Sequence, residues 1–134
     1  MPSVVQLIRS ASLAETSYAY AATAPADARL VFLAGACPLD DEGATVAVGD
    51  VAGQAAACVA TLRRALSEAA AELTDVLSTR VLVASSRRED LVAAWHVVAD
   101  AFGDHDVPSA LLGVTVLGYP DQLVEIEAVA AVRD

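Results

Sequence analysis

Glu125 and Glu127 are the residues of this chain whose type and spacing ask most for chemistry. They stand in the run LVEIEAVAAV near the end of the sequence. Alternation with a period of two puts Val124, Ile126, Ala128, Ala130 and Val132 on one face of a strand. The two glutamates then share the other face with Leu123, Val129 and Ala131. Hiding two carboxylates on an otherwise apolar strand is costly unless donors meet them. That face is therefore expected to line water, a ligand, or a partner that brings donors.

Other reactive residue types are sparse. His96 and His105 have no partner at metal-ligand spacing, so no zinc site is expected. His96 reads as a surface or packing residue, and His105 as a loop residue near a cleft. Cys37 and Cys58 sit among apolar neighbours and read as buried, reduced thiols. There is no glycine-rich phosphate loop, no GxSxG elbow and no Cys–His pair with an orienting third group. All eight cationic side chains are arginine. Without lysine, Schiff-base catalysis by a protein lysine and the usual anchoring of pyridoxal phosphate are excluded, and no cofactor is expected.

The bulk numbers narrow the class. At 134 residues the chain holds one core, read as a single domain over 1–134. It is 56% hydrophobic, much of it alanine and valine, which points to extra buried surface in an oligomer. A net charge of −10 with no basic stripe disfavours nucleic acid and anionic membranes as partners. The first residues lack a secretory pattern and no apolar run reaches membrane-spanning length, so a cytoplasmic protein is expected.

The positioning elements follow from pattern. Val4–Arg9 reads as a strand, and Ser10–Ala28 as a mostly small and polar connection. Leu30–Ala34 is a strand ending at Gly35, and PLDDEG (38–43) is turn chemistry before a short return strand at Thr45–Val48. Asp50 caps a helix whose stripe runs Val51, Ala55, Cys58, Val59, Leu62, Leu66, Ala69, Leu73. Arg63, Arg64, Glu68 and Glu72 lie off the stripe on a solvated face. Arg80–Ala84 is the next strand. A second helix runs from about Glu89 to Phe102 and stops at Gly103. Two alternating runs within 108–132, separated by a turn, close the chain as a strand pair. The sum is an α+β fold, a mixed sheet with both helices on one face. The uncovered face, holding the two glutamates, awaits a partner.

In this order the chain resembles the Rid family (YjgF-like; reactive intermediate deaminases). The resemblance rests on Tyr18, VFLAGACPLD at 31–40, GDVAGQ at 49–54, Pro108 and VEIEAVA at 124–130. It implies a homotrimer whose sheets form a central barrel, with small-molecule clefts between subunits. It further implies hydrolysis of reactive imines and enamines to 2-oxo acids and ammonia. In that chemistry an arginine two residues after the proline grips the substrate carboxylate. The glutamate of the last strand positions a water and manages its proton.

The chain departs from that pattern at the anchor. Two residues after Pro108 stands Ala110, and Ala34 replaces the small hydroxyl residue before Gly35. The site residues carried over are Glu125 as the catalytic carboxylate and Tyr18, Ala34, Gly35, Ala110 and Glu125 around the ligand, with His105 nearby. Glu127 reads as structural. The expected function is a divergent, deaminase-like hydrolase acting on an imine-like metabolite other than a simple 2-imino acid. A non-catalytic metabolite-binding module is the alternative from another class. A conventional deaminase anchored by another arginine, Arg80 foremost, is the third.

Overall fold

The alternating run at 124–132 forms the longest strand, and in the computed structural model, which describes residues 2–134, it is a central one. The elements in chain order are β1 (Gln6–Ile8), β2 (Ala21–Thr23), β3 (Arg29–Phe32), α1 (Val51–Glu68), β4 (Val76–Val83), α2 (Arg88–Phe102), β5 (Ser109–Gly113) and β6 (Val124–Val132). The main sheet has the order β3-β6-β4-β5. Its β4–β5 pair is parallel and the other pairs are antiparallel. β1 and β2 form a separate antiparallel pair. This is the α+β architecture expected, with a mixed sheet under two helices.

Burial in β6 follows the pleat. Val124, Ile126, Ala128 and Ala130 are buried, while Leu123, Glu125, Glu127 and Val129 are half-buried. The buried set packs with Val76, Val81 and Val83 of β4 and with the stripes of both helices. In α1 that stripe is Ala55, Cys58, Val59, Leu62 and Leu66. In α2 it is Ala94, Val98 and Phe102, flanked by Leu91 and Trp95. Asp50 caps α1 as expected, its Oδ1 accepting the Gly53 amide at 2.9 Å.

Four expectations need correction. The first helix stops at Glu68 rather than near Leu73. Ala70 turns to a φ of 59°, and the Ala71 amide donates back to Leu66 at 2.8 Å. Three alanines carry no stop signal, so the reversal comes from burying Ala71 and Leu73 at the entry to β4. Next, Thr45–Val48 is not a strand; only a single bridge joins Leu39 and Thr45. β3 pairs instead with β6, and Ala36 exchanges amide–carbonyl bonds with Ile126 at 2.7 and 3.1 Å. Third, Ala21–Thr23 forms a strand within a stretch read as connection. Its small side chains give no alternating signal to detect. Finally, the two closing runs do not pair with each other, because β4 lies between them.

Candidate functional site

The register assembles two rows across the face of the sheet opposite the helices. In one row Ala110 of β5 lies beside Arg80 of β4, which lies beside Glu127 of β6. In the next row Leu112 lies beside Leu82, which lies beside Glu125. Leu30 and Phe32 of β3 continue this face, and Phe32 is 74% exposed. It is thus an apolar surface with one cation and two carboxylates.

Its two ends are built differently. Arg80 Nε donates to Glu127 Oε1 at 2.8 Å, with the two side chains 59% and 43% exposed. Phe32, Ser78, Arg80, Glu127 and Val129 line a shallow hollow of about 210 Å³ there. Among the described residues no arginine forms an ion pair with Glu125. Its Oε1 instead accepts from the Cys37 thiol at 3.2 Å and from Gln122 Nε2 at 3.4 Å. Gly35 backs the carboxylate so closely that a Cβ there would stand 2.6 Å from its Cδ. A larger residue there would push the carboxylate aside. Gly35 and Cys37, with Thr61, Arg64 and Tyr119, border a cleft of about 320 Å³.

Each partner of Glu125 is itself held. Thr61 of α1 donates its hydroxyl to the Cys37 carbonyl at 3.1 Å. Burial, and then the Glu125 carboxylate, push the Cys37 thiol up to about 11 from an ordinary 9.0. It is therefore a neutral donor at physiological pH. Burial also raises Cys58, whose thiol points to the Val124 carbonyl at 3.4 Å. Gln122 is buried, donates to the Val124 carbonyl at 3.1 Å and accepts from the Tyr119 amide at 3.1 Å. Behind it, the fully buried Gln54 accepts the Leu123 amide at 2.7 Å and donates to the Asp121 carbonyl at 2.9 Å. One α1 side chain thus ties down the loop that delivers Gln122 and Glu125.

The structure brings Gly35 and Glu125 together, and the exposed Ala34 is next in the chain. Ala110 shares the face one row away. Tyr18 and His105 stand elsewhere in the same chain. The Tyr18 ring meets Trp95 of α2 edge-on at 6.2 Å, in the helix layer. His105 Nε2 bonds the Val76 carbonyl at 2.8 Å. Val76 lies six residues from Leu82, about 20 Å along β4 from the Glu125 row. Among the described residues, neither makes a hydrogen bond to Glu125. His96 is exposed, and no group of three metal-ligating side chains occurs among the described residues. Nor is any described helix long and apolar enough to cross a membrane.

Sequence reasoning missed Cys37, Gln122 and Gln54 as parts of this site. Gln54 carried a usable signal. It lies four residues before Cys58 on the apolar stripe, and a polar side chain there must find partners. Cys37 and Glu125 are far apart in sequence, and nothing local announces their contact.

Comparison with known proteins places this geometry in a class. A Rid-family protein of Yersinia pestis superposes with a TM-score of 0.87 at 24% identity, covering 96% of this chain and 99% of that one. A member of the YjgF/YER057c/UK114 family from Mycobacterium tuberculosis is 32% identical, with a TM-score of 0.65 and coverage of 96% and 99%. A RutC family protein of Pyrococcus abyssi is 32% identical over 101 residues, 75% of this chain and 76% of that one. Residues 9–132 match the endoribonuclease L-PSP family. The chain belongs to this family, the Rid/YjgF family.

Proposed function

We propose that this chain acts as a homotrimer that holds a small metabolite in clefts between subunits, with Glu125 as the working carboxylate. The reaction class is hydrolysis of an imine-like carbon–nitrogen double bond. Water adds to the carbon, the nitrogen leaves as ammonia, and a carbonyl remains. Glu125 positions the water and takes its proton. The supporting observation is Glu125 itself: half-buried on the uncovered sheet face, bonded by neutral donors and, among the described residues, paired with no cation. The apolar face around it, with Phe32 exposed, supports assembly of copies over it.

Simple 2-imino acids are poor substrates in this reading. Ala110 cannot grip a carboxylate, and losing a charge-assisted bond weakens binding by roughly 10–100-fold. Glu125 adds repulsion. Assays on freshly generated iminoalanine are expected to give a rate well below that of an arginine-bearing relative. A matching rate overturns the claim. Binding of a metabolite without any turnover would select the non-catalytic alternative. The ribonuclease named in the family's description fits this chain poorly, since a net charge of −10 repels RNA.

A second reading has one observation in its favour. Arg80 stands directly beside Ala110 in the sheet, on the same face. Its guanidinium could serve as the anchor in place of the missing arginine if Glu127 shares it. Arg80→Met separates the two: iminoalanine turnover falls roughly 10-fold or more under this reading and stays unchanged under the first.

A further inference from the structure

Glu125 is unusual in what touches it. Its Oε1 takes two donors, the Cys37 thiol and the Gln122 amide, neither of which carries charge. The same thiol lies 3.4 Å from the Gly35 carbonyl, so its proton has two acceptors on one side. Cys37 is held by its own backbone, through Thr61, to the middle of α1. Gly35 closes the space behind the carboxylate, its would-be Cβ falling 2.6 Å from Oε2. Together these contacts fix the carboxylate plane while leaving Oε2 without a hydrogen-bond donor from the described residues.

We propose that Cys37 is a positioning residue for Glu125, its thiol donating to Oε1 so that Oε2 is the oxygen presented to a water or ligand. The assignment rests on the reading of Glu125 as the working carboxylate, but its geometry does not. A thiol suits the task because it donates weakly and stays protonated, so it orients the carboxylate without neutralising it. An arginine at this place would orient it and also cancel its charge. Cys37 is thus given a role distinct from that of a filler in the core, and distinct from that of a nucleophile. With its thiolate disfavoured, attack on a substrate by this sulfur is suppressed.

The test reads the contact from both ends. Alkylation of Cys37 by iodoacetamide, followed by peptide mapping against pH, reports its thiolate. In Glu125→Gln the raising influence of the carboxylate is gone, and alkylation near pH 8 is expected to rise about tenfold for each unit by which the midpoint falls. Burial remains, so the midpoint falls only part of the way from about 11 toward 9.0. From the other end, the side-chain carboxyl carbon signal of ¹³C-labelled Glu125 is expected to move in Cys37→Ala and to stay near its wild-type position in Cys37→Ser, which keeps a donor. Equal alkylation profiles in wild type and Glu125→Gln, or equal carboxyl signals in Cys37→Ala and wild type, overturn the proposal. Where a substrate is turned over, Cys37→Ala is expected to lower kcat more than it raises KM, with Cys37→Ser restoring it. If the carboxyl signal responds and no substrate is turned over, the hydrolase reading fails and the positioning role stands. If turnover occurs and the signal ignores Cys37, the reverse holds.

Discussion

The two glutamates of β6 share a strand, a face and an apolar setting, yet their surroundings differ in kind. Glu127 meets the Arg80 guanidinium at 2.8 Å. Glu125 meets a thiol and an amide in a half-buried corner and keeps its charge uncompensated. An exposed pair such as Arg80–Glu127 stabilises the fold by only about 0–1 kcal/mol. An uncancelled carboxylate held by neutral donors is worth little for stability and more for chemistry. Residue type alone therefore does not separate a structural acid from a working one; the partner set does.

The comparison can be broken or sharpened by substitution. The largest expected effect is on the scaffold of the Glu125 end. Gln54→Leu removes the partners of the half-buried Leu123 amide and of the Asp121 carbonyl, at about 0.5–1.5 kcal/mol for each hydrogen bond lost. Thermal unfolding is expected to show it, with no comparable drop for a change at the Arg80–Glu127 end. Ala110→Arg comes next. It restores a forked cation on the open face, and iminoalanine turnover is expected to rise roughly 10–100-fold. A variant that folds and shows no gain would mean that the missing arginine does not limit this site. Smaller still, Arg80→Ala and Glu127→Ala are each expected to shift stability by less than about 1 kcal/mol, and the double variant by no more than their sum.

A separate effect is confined to alkali, and it too distinguishes the ends. The folded Cys37 thiol titrates near 11, above its ordinary 9.0. A raised value contributes stability that is complete below pH 9 and lost as pH climbs through 11. Wild type is therefore expected to lose stability between those values more steeply than Cys37→Ser, as judged by urea midpoints at each pH. The Arg80–Glu127 pair gives no such slope, since arginine keeps its proton throughout that range.

Much of this was legible before any coordinates. The pleat of β6 could be read because a period of two has one buried solution, and Asp50 announced the start of α1 through its carboxylate. The end of α1 could not be read: Ala69, Ala70 and Ala71 are good helix formers, and only the burial of Leu73 beyond them forces the turn. Glu125 stood out by type, and Gly35 by resemblance. The neighbour that makes Arg80 interesting is Ala110, and that adjacency depends on a parallel pairing between strands separated by all of α2. Cys37 was assigned to the core because free thiols usually are. Its contact with Glu125 arises only when Ala36 docks on Ile126 across the sheet.

The strand that joins the sheet is also made after everything it joins. Among the described residues β3 has no hydrogen-bonded neighbour in the main sheet other than β6, and β4 with β5 forms the remaining half. During synthesis the nascent chain must therefore carry two unstitched fragments until β6 leaves the ribosome. Until then the edges that β6 will cover stay open, so its insertion is a late, long-range event.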